Sequence, residues 1–124
     1  MKLLLDTHVF LWWRTDPRRI ERSAERAIAR ASLVYVSAAS AWEAAIKTQL
    51  GKLRFPGSFG AAVSQSEFTP LDITFQHVEA VADLPPHHQD PFDRILVAQA
   101  TTEGLTLVTA DRQLEPYRVP VIWT

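Results

Sequence analysis

Asp6, Glu43, Asp93 and Asp111 lie far apart in the chain but share one kind of setting. Asp6 closes the apolar run Leu3-Leu4-Leu5, and Asp111 follows Leu107-Val108-Thr109-Ala110 in the same way. Glu43 falls in the opening turns of a predicted helix from about Ser40 to Leu50, and Asp93 in the first turn of another that starts at Asp90 or Pro91. Carboxylates brought together repel, and cations remove that cost. The chain has no cysteine to favour softer metals. A hard divalent ion with oxygen ligands, Mg²⁺ or Mn²⁺, is therefore the natural occupant. Such an ion activates water and stabilises the leaving oxygen of a phosphodiester. Singly, each acid reads equally well as a helix cap or a surface charge. Asp93 suits the positive end of its helix with or without a metal. Only their joint placement points to a site.

That placement depends on the elements between them. Lys2 to Leu5, Leu33 to Val36, Phe68 to Leu71, Leu105 to Thr109 and Val119 to Ile122 read as short strands, most of them apolar enough to be covered on both faces. Predicted helices alternate with them: Arg18 to Ala31, a helix capped by Ser37 or Ser40 and stopped by Gly51, Phe59 to Gln65, Thr74 to Ala82, and one from Asp90 or Pro91 to Glu103 closed by Gly104. Pro85-Pro86 marks a loop before the last of these. Strands alternating with helices predict an α/β fold with a parallel sheet covered on both faces. In such sheets ligands bind outside the carboxyl ends of the strands, where all four acids are expected.

The composition fits one ordinary domain spanning residues 1–124, with 47% hydrophobic and 22% charged residues. The net charge of -1 hides an asymmetry: residues 1–62 carry 10 Lys/Arg against 5 Asp/Glu, and residues 63–124 carry 3 against 9. Such a chain can meet a polyanion with one surface and hold cations with another. The absence of cysteine excludes a disulfide framework and a zinc–cysteine site. No run approaches the roughly 20 apolar residues of a membrane helix, and Leu3–Leu5 is too short for a signal-peptide core. A cytoplasmic protein with no membrane partner is expected.

The runs Leu4-Leu5-Asp6-Thr7-His8, Ser40-Ala41-Trp42-Glu43, Asp90-Pro91-Phe92-Asp93-Arg94 with Ala98-Gln99-Ala100, and Thr109-Ala110-Asp111 together resemble the PIN-domain ribonucleases. More narrowly, they resemble the VapC toxins of bacterial and archaeal toxin–antitoxin pairs. The resemblance spans nearly the whole chain. It implies a three-layer α/β/α domain with a central parallel sheet of four to five strands, Mg²⁺ or Mn²⁺ dependence and endonucleolytic cleavage of RNA. It also implies a homodimer and a small VapB-like antitoxin, with DNA met only through that antitoxin. Position by position, Asp6, Glu43, Asp93 and Asp111 take the catalytic and metal-holding roles, with Thr7, Ser40 and Thr109 in support. Asp90 and Asp93 both flank the helix start. The acid-then-apolar run Asp93-Arg94-Ile95-Leu96 favours Asp93, leaving Asp90 to cap the helix, orient Arg94 or support the ligands.

Other residues carry two readings each. Arg18, Arg22, Arg26 and Arg30 recur at every fourth position, either as an RNA- or antitoxin-facing stripe or as a solvated face paired with Glu21 and Glu25. Arg94 and His88 are further candidate contacts to RNA or antitoxin. His87-His88 with Asp90 and Asp93 could form a metal-ligand cluster, or His88 could be a loop residue that orients substrate or Asp90. His8 either lines the cleft or makes a structural hydrogen bond. Trp12, Trp13 and Trp42 could stack on bases, but packing in the core or a dimer interface suits their apolar segments better, and Trp123 reads as a packing anchor. Two rival functions remain. One is a non-catalytic module that keeps the carboxylates to bind a partner. The other is a phosphatase or phosphotransferase with Asp6 as nucleophile, although those enzymes want a second Asp where this chain has His8.

Overall fold

The computed structural model describes all 124 residues. Five strands, β1 (Lys2–Leu5), β2 (Leu33–Ser37), β3 (Thr69–Leu71), β4 (Thr106–Thr109) and β5 (Val121–Trp123), form one sheet in the order β3-β2-β1-β4-β5. Every neighbouring pair is parallel. The chain winds outward from β1 through β2 to β3, then crosses back to lay β4 on the other side of β1 and β5 beyond it. The direction of winding therefore reverses between β1 and β4, the place in such sheets where ligands bind outside the carboxyl ends of the strands.

Alternation along the strands divides the core into two layers. Leu3, Leu5, Val34, Val36 and Val108 point to one face, against Val9 and Phe10 of α1 (Thr7–Thr15), Ala24 and Ile28 of α2 (Arg22–Arg30), and Ala62 and Val63 of α4 (Phe59–Gln65). Leu4 and Leu107 point to the other, against Ala39 of α3 (Ala38–Gln49) and Leu96, Val97 and Ala100 of α6 (Pro91–Glu103). Helix α5 (Phe75–Ala82) packs on α6. The three-layer α/β/α architecture expected from the sequence is present, with five strands.

Most helix ends follow local chemistry. Ser37, rather than Ser40, caps α3 by accepting from the Ala39 amide at 3.0 Å. Asp90 caps α6 through the amides of Phe92 and Asp93, and Gly104 ends it in the left-handed conformation at φ 68. Helix α5 opens with a capping box in which the His77 imidazole takes the place of the usual Glu or Gln, and that imidazole is fully buried against Glu103 of α6.

Two expectations are corrected. The predicted Arg18–Ala31 helix is a 3₁₀ turn over Pro17–Arg19 followed by α2, with Glu21 extended between them. Ile20 is buried in the core, and the Glu21 amide donates to the Thr124 hydroxyl at 2.8 Å, so the chain is pulled straight where a continuous helix would run. Arg18 thus leaves the stripe, which keeps Arg22, Arg26 and Arg30, all exposed. The last strand begins at Val121 rather than Val119. Pro120 has no N–H to give, its carbonyl receives the Leu107 amide at 2.9 Å, and Val119 is buried in the core instead.

Candidate active site

Asp6 is both the residue after β1 and the N-cap of α1, so the strand end and the helix start fix it together. One carboxylate oxygen accepts from the His8 amide at 2.7 Å and the other from the Thr109 hydroxyl at 2.5 Å. The same hydroxyl accepts from the Asp111 amide at 3.0 Å. Thr109 ends β4, so one buried side chain ties the acids at the ends of β1 and β4. Thr7, the first residue of α1, donates to Ser40 of α3 at 2.9 Å, and both are buried. This bond holds α3 where Glu43, one turn further on, is buried beside Asp6.

The electrostatics couple the acids. Burial pushes the Asp6 carboxyl above its ordinary range, and Glu43 adds to the rise, while Thr109, the His8 amide and the His8 imidazole oppose it. Asp93 is raised to about 7, first by burial and then by the charges of Asp90 and Asp6, with the His88 hydrogen bond opposing. Asp6 thus feels Glu43, and Asp93 feels Asp6. Asp111 joins them through His88, whose Nε2 lies 2.8 Å from Asp93 Oδ2 and 3.4 Å from Asp111 Oδ2. All four predicted acids stand at one sheet edge. A ligand atom from each of His88, Asp93 and Asp111 lies within 4.8 Å of the other two.

The remaining candidates separate. Asp90 spends Oδ1 on the α6 cap, which leaves Asp93 as the acid that faces the cluster. Arg94 turns away from the cluster. Its guanidinium donates to the carbonyls of Val81, Leu84, Pro85 and His88 and to the Tyr117 hydroxyl. Those internal acceptors, not the Asp90 carboxylate, orient it. The His87-His88 pair splits: His87 packs edge-on against Tyr117, while His88 faces Asp93 and Asp111 rather than Asp90. His8 stands at the rim, with 57% of its side chain exposed and Nδ1 3.8 Å from Asp6. Arg22, Arg26 and Arg30 lie on α2, across the sheet from α6. Trp12 and Trp13 pack against the core and Trp123 carries the Arg112 guanidinium over its ring, whereas Trp42 is 61% exposed and meets Phe92 edge-on rather than entering the core. Sequence reasoning misses Lys47, which pairs with Glu43 at 2.8 Å. The i, i+4 spacing of Glu43 and Lys47 was the available signal.

The donor set suits a hard divalent cation. Crowded carboxylates, two of them held above their ordinary range by burial and by neighbouring carboxylates, are stabilised by a positive charge placed among them.

A family model described as the PIN domain matches residues 3–119. The chain belongs to the PIN domain family. This PIN domain is 31% identical over 121 residues to Ribonuclease VapC22 of Mycobacterium tuberculosis (strain ATCC 25618 / H37Rv), an alignment that covers 95% of this chain and 93% of the relative. Among solved structures it is similar to VapBC2 from Rickettsia felis bound to a promoter DNA fragment, with a TM-score of 0.74, 13% identity and 98% of each chain covered. It is also similar to DNA-bound VapBC from Salmonella typhimurium, with a TM-score of 0.69, 18% identity, and 98% of this chain and 97% of that one covered. At those identities the structural matches establish the PIN fold.

Proposed function

We propose that this PIN domain is a metal-dependent endoribonuclease acting in the cytoplasm as the toxin of a toxin–antitoxin pair. The observation that carries the reading is the meeting of Asp6, Glu43, Asp93 and Asp111 at the carboxyl edge of the sheet, in a chain 31% identical to a VapC ribonuclease. Asp6, Glu43, Asp93 and Asp111 would hold one or two Mg²⁺ or Mn²⁺ ions. When bound, such an ion supplies Lewis acidity toward the phosphodiester and lowers the pKa of water. The chain's own residues supply position. Thr109 fixes the Asp6 carboxylate and the Asp111 backbone together, and Thr7 with Ser40 fixes the helix that carries Glu43. Lys47 balances Glu43 in its buried setting. Asp93, titrating near 7, must release its proton to become a ligand, so ion binding and proton release are linked at neutral pH.

The partners follow from the same reading. The two solved structures it resembles are VapBC assemblies bound to DNA, which supports a VapB-like antitoxin as partner and DNA reached through it; a homodimer of this chain is part of the same proposal. The deciding experiment is Asp6→Asn, which keeps the shape and removes the charge. Wild type is expected to cut RNA in Mg²⁺ or Mn²⁺, leaving 5′-phosphate and 3′-hydroxyl ends, and to stop when EDTA is added. The variant is expected to lose at least about a hundredfold in rate while keeping its circular dichroism spectrum. Undiminished cleavage by Asp6→Asn, free of contaminating nuclease, would overturn the assignment.

A further inference from the structure

His88 is held at the carboxylates by a loop built for that purpose. Arg94 gathers the carbonyls of Val81, Leu84, Pro85 and His88, and the Tyr117 hydroxyl receives both Arg94 and the His88 amide, the latter at 3.1 Å. The backbone on either side of Pro85-Pro86 is thereby pinned, and the imidazole is left only 12% exposed. Its Nε2 is hydrogen-bonded to Asp93 Oδ2 at 2.8 Å and also lies 3.4 Å from Asp111 Oδ2. An ion pair alone needs one short contact. Three donor atoms converging from one loop, one helix and one strand end are the arrangement of a coordination site. Neighbouring ligand atoms on an octahedral ion with bonds of about 2.1 Å are about 3 Å apart, and the two observed separations bracket that value. Nδ1 makes no hydrogen bond within the chain, so it is free to carry the ring proton while Nε2 offers its lone pair.

We propose that His88 is itself a metal ligand, giving this PIN domain a mixed nitrogen–oxygen centre with Asp93 and Asp111 that prefers Mn²⁺ to Mg²⁺. The inference rests on the reading that the acids hold a divalent cation, and adds a nitrogen to the oxygens. Carboxylates alone serve Mg²⁺ and Mn²⁺ alike. Imidazole favours the transition metal, because Mg²⁺ is the harder ion.

The test uses the full chain, stripped of metal and titrated with Mn²⁺ alone. Pulsed electron paramagnetic resonance of the bound Mn²⁺ is expected to show nitrogen modulation that changes to the ¹⁵N pattern when histidine is labelled with ¹⁵N. The modulation is expected to vanish in His88→Gln and to survive in His8→Gln, which removes the imidazole beside Asp6. Mn²⁺ affinity, read from the free-ion signal, is expected to fall about tenfold or more in His88→Gln, with Mg²⁺ affinity measured by competition falling much less. Bound Mn²⁺ without histidine nitrogen in the wild type, a signal that persists in His88→Gln, or an unchanged Mn²⁺/Mg²⁺ ratio overturns the role of His88 and leaves the carboxylate site standing. Failure of the wild type to bind Mn²⁺ at all overturns both. The labelled wild type decides the matter even if His88→Gln folds poorly.

Discussion

The Thr109 hydroxyl joins two carboxylates at once, donating to Asp6 and accepting from the Asp111 amide. Thr109→Val keeps the shape but leaves the Asp111 amide without its acceptor, at about 1–3 kcal/mol, and frees Asp6 to turn. The expected outcome is a loss of that size in urea denaturation, together with cleavage slowed about tenfold to a hundredfold at saturating metal. Thr109→Ser keeps the hydroxyl and should recover most of both. An activity that does not separate Val from Ser would mean the bridge is structural only. At this scale the acids were legible in the sequence because each stands at a strand end or a helix start, where the fold class dictates its neighbours. His88 was legible only as two open readings, a member of a metal-ligand cluster or an orienting loop residue, since nothing in a Pro-Pro-His-His loop says which ring turns inward. That choice is made by Arg94 and Tyr117, the latter 29 residues away from His88.

Elements explain which other readings held. Apolar runs such as Leu3–Leu5 and Leu105–Val108 announce buried parallel strands, and Asp90 and Gly104 announce the ends of α6, so sheet and helices could be read directly. The arginine periodicity misled because spacing is blind to what the backbone is tied to: buried Ile20 and the Glu21–Thr124 bond straighten the chain in the middle of the pattern. Pro120 shifts β5 for the same kind of reason, a missing donor. Arg94 ties elements together, linking the end of α5, the loop after it and α6. Arg94→Ala is expected to cost about 2–3 kcal/mol and to expose residues 83–90 to limited proteolysis. Arg94→Lys should restore little, since an ammonium cannot span those acceptors as a planar guanidinium does. Wild-type resistance in Arg94→Ala would show that Pro85-Pro86 holds the loop unaided.

For the whole molecule, the crowded acids make stability depend on pH and on cations. Asp93 ionises near 7 in the folded chain against 3.8 as its ordinary value, so the native state holds the extra proton between those limits. Its contribution is fully present below pH 3.8 and lost as pH rises through 7, of the order of 3 kcal/mol. In EDTA, the stability of wild type relative to Asp93→Asn should therefore decline from pH 4 to 7, so that the variant gains on the wild type while losing cleavage. Excess Mn²⁺ should remove the decline, adding roughly 2.7 kcal/mol at a hundred times its dissociation constant. A wild-type-minus-variant difference that is flat with pH would refute the coupling. The order of the strands has one more consequence, in the time of synthesis. Asp6 leaves the ribosome 103 residues ahead of Thr109, yet β1 finds its second neighbour only in β4. A nascent chain that stops short of β4 thus carries three of the four acids and none of their closure. The site cannot close until β4 has been made, and a product cut short before β4 should be inert.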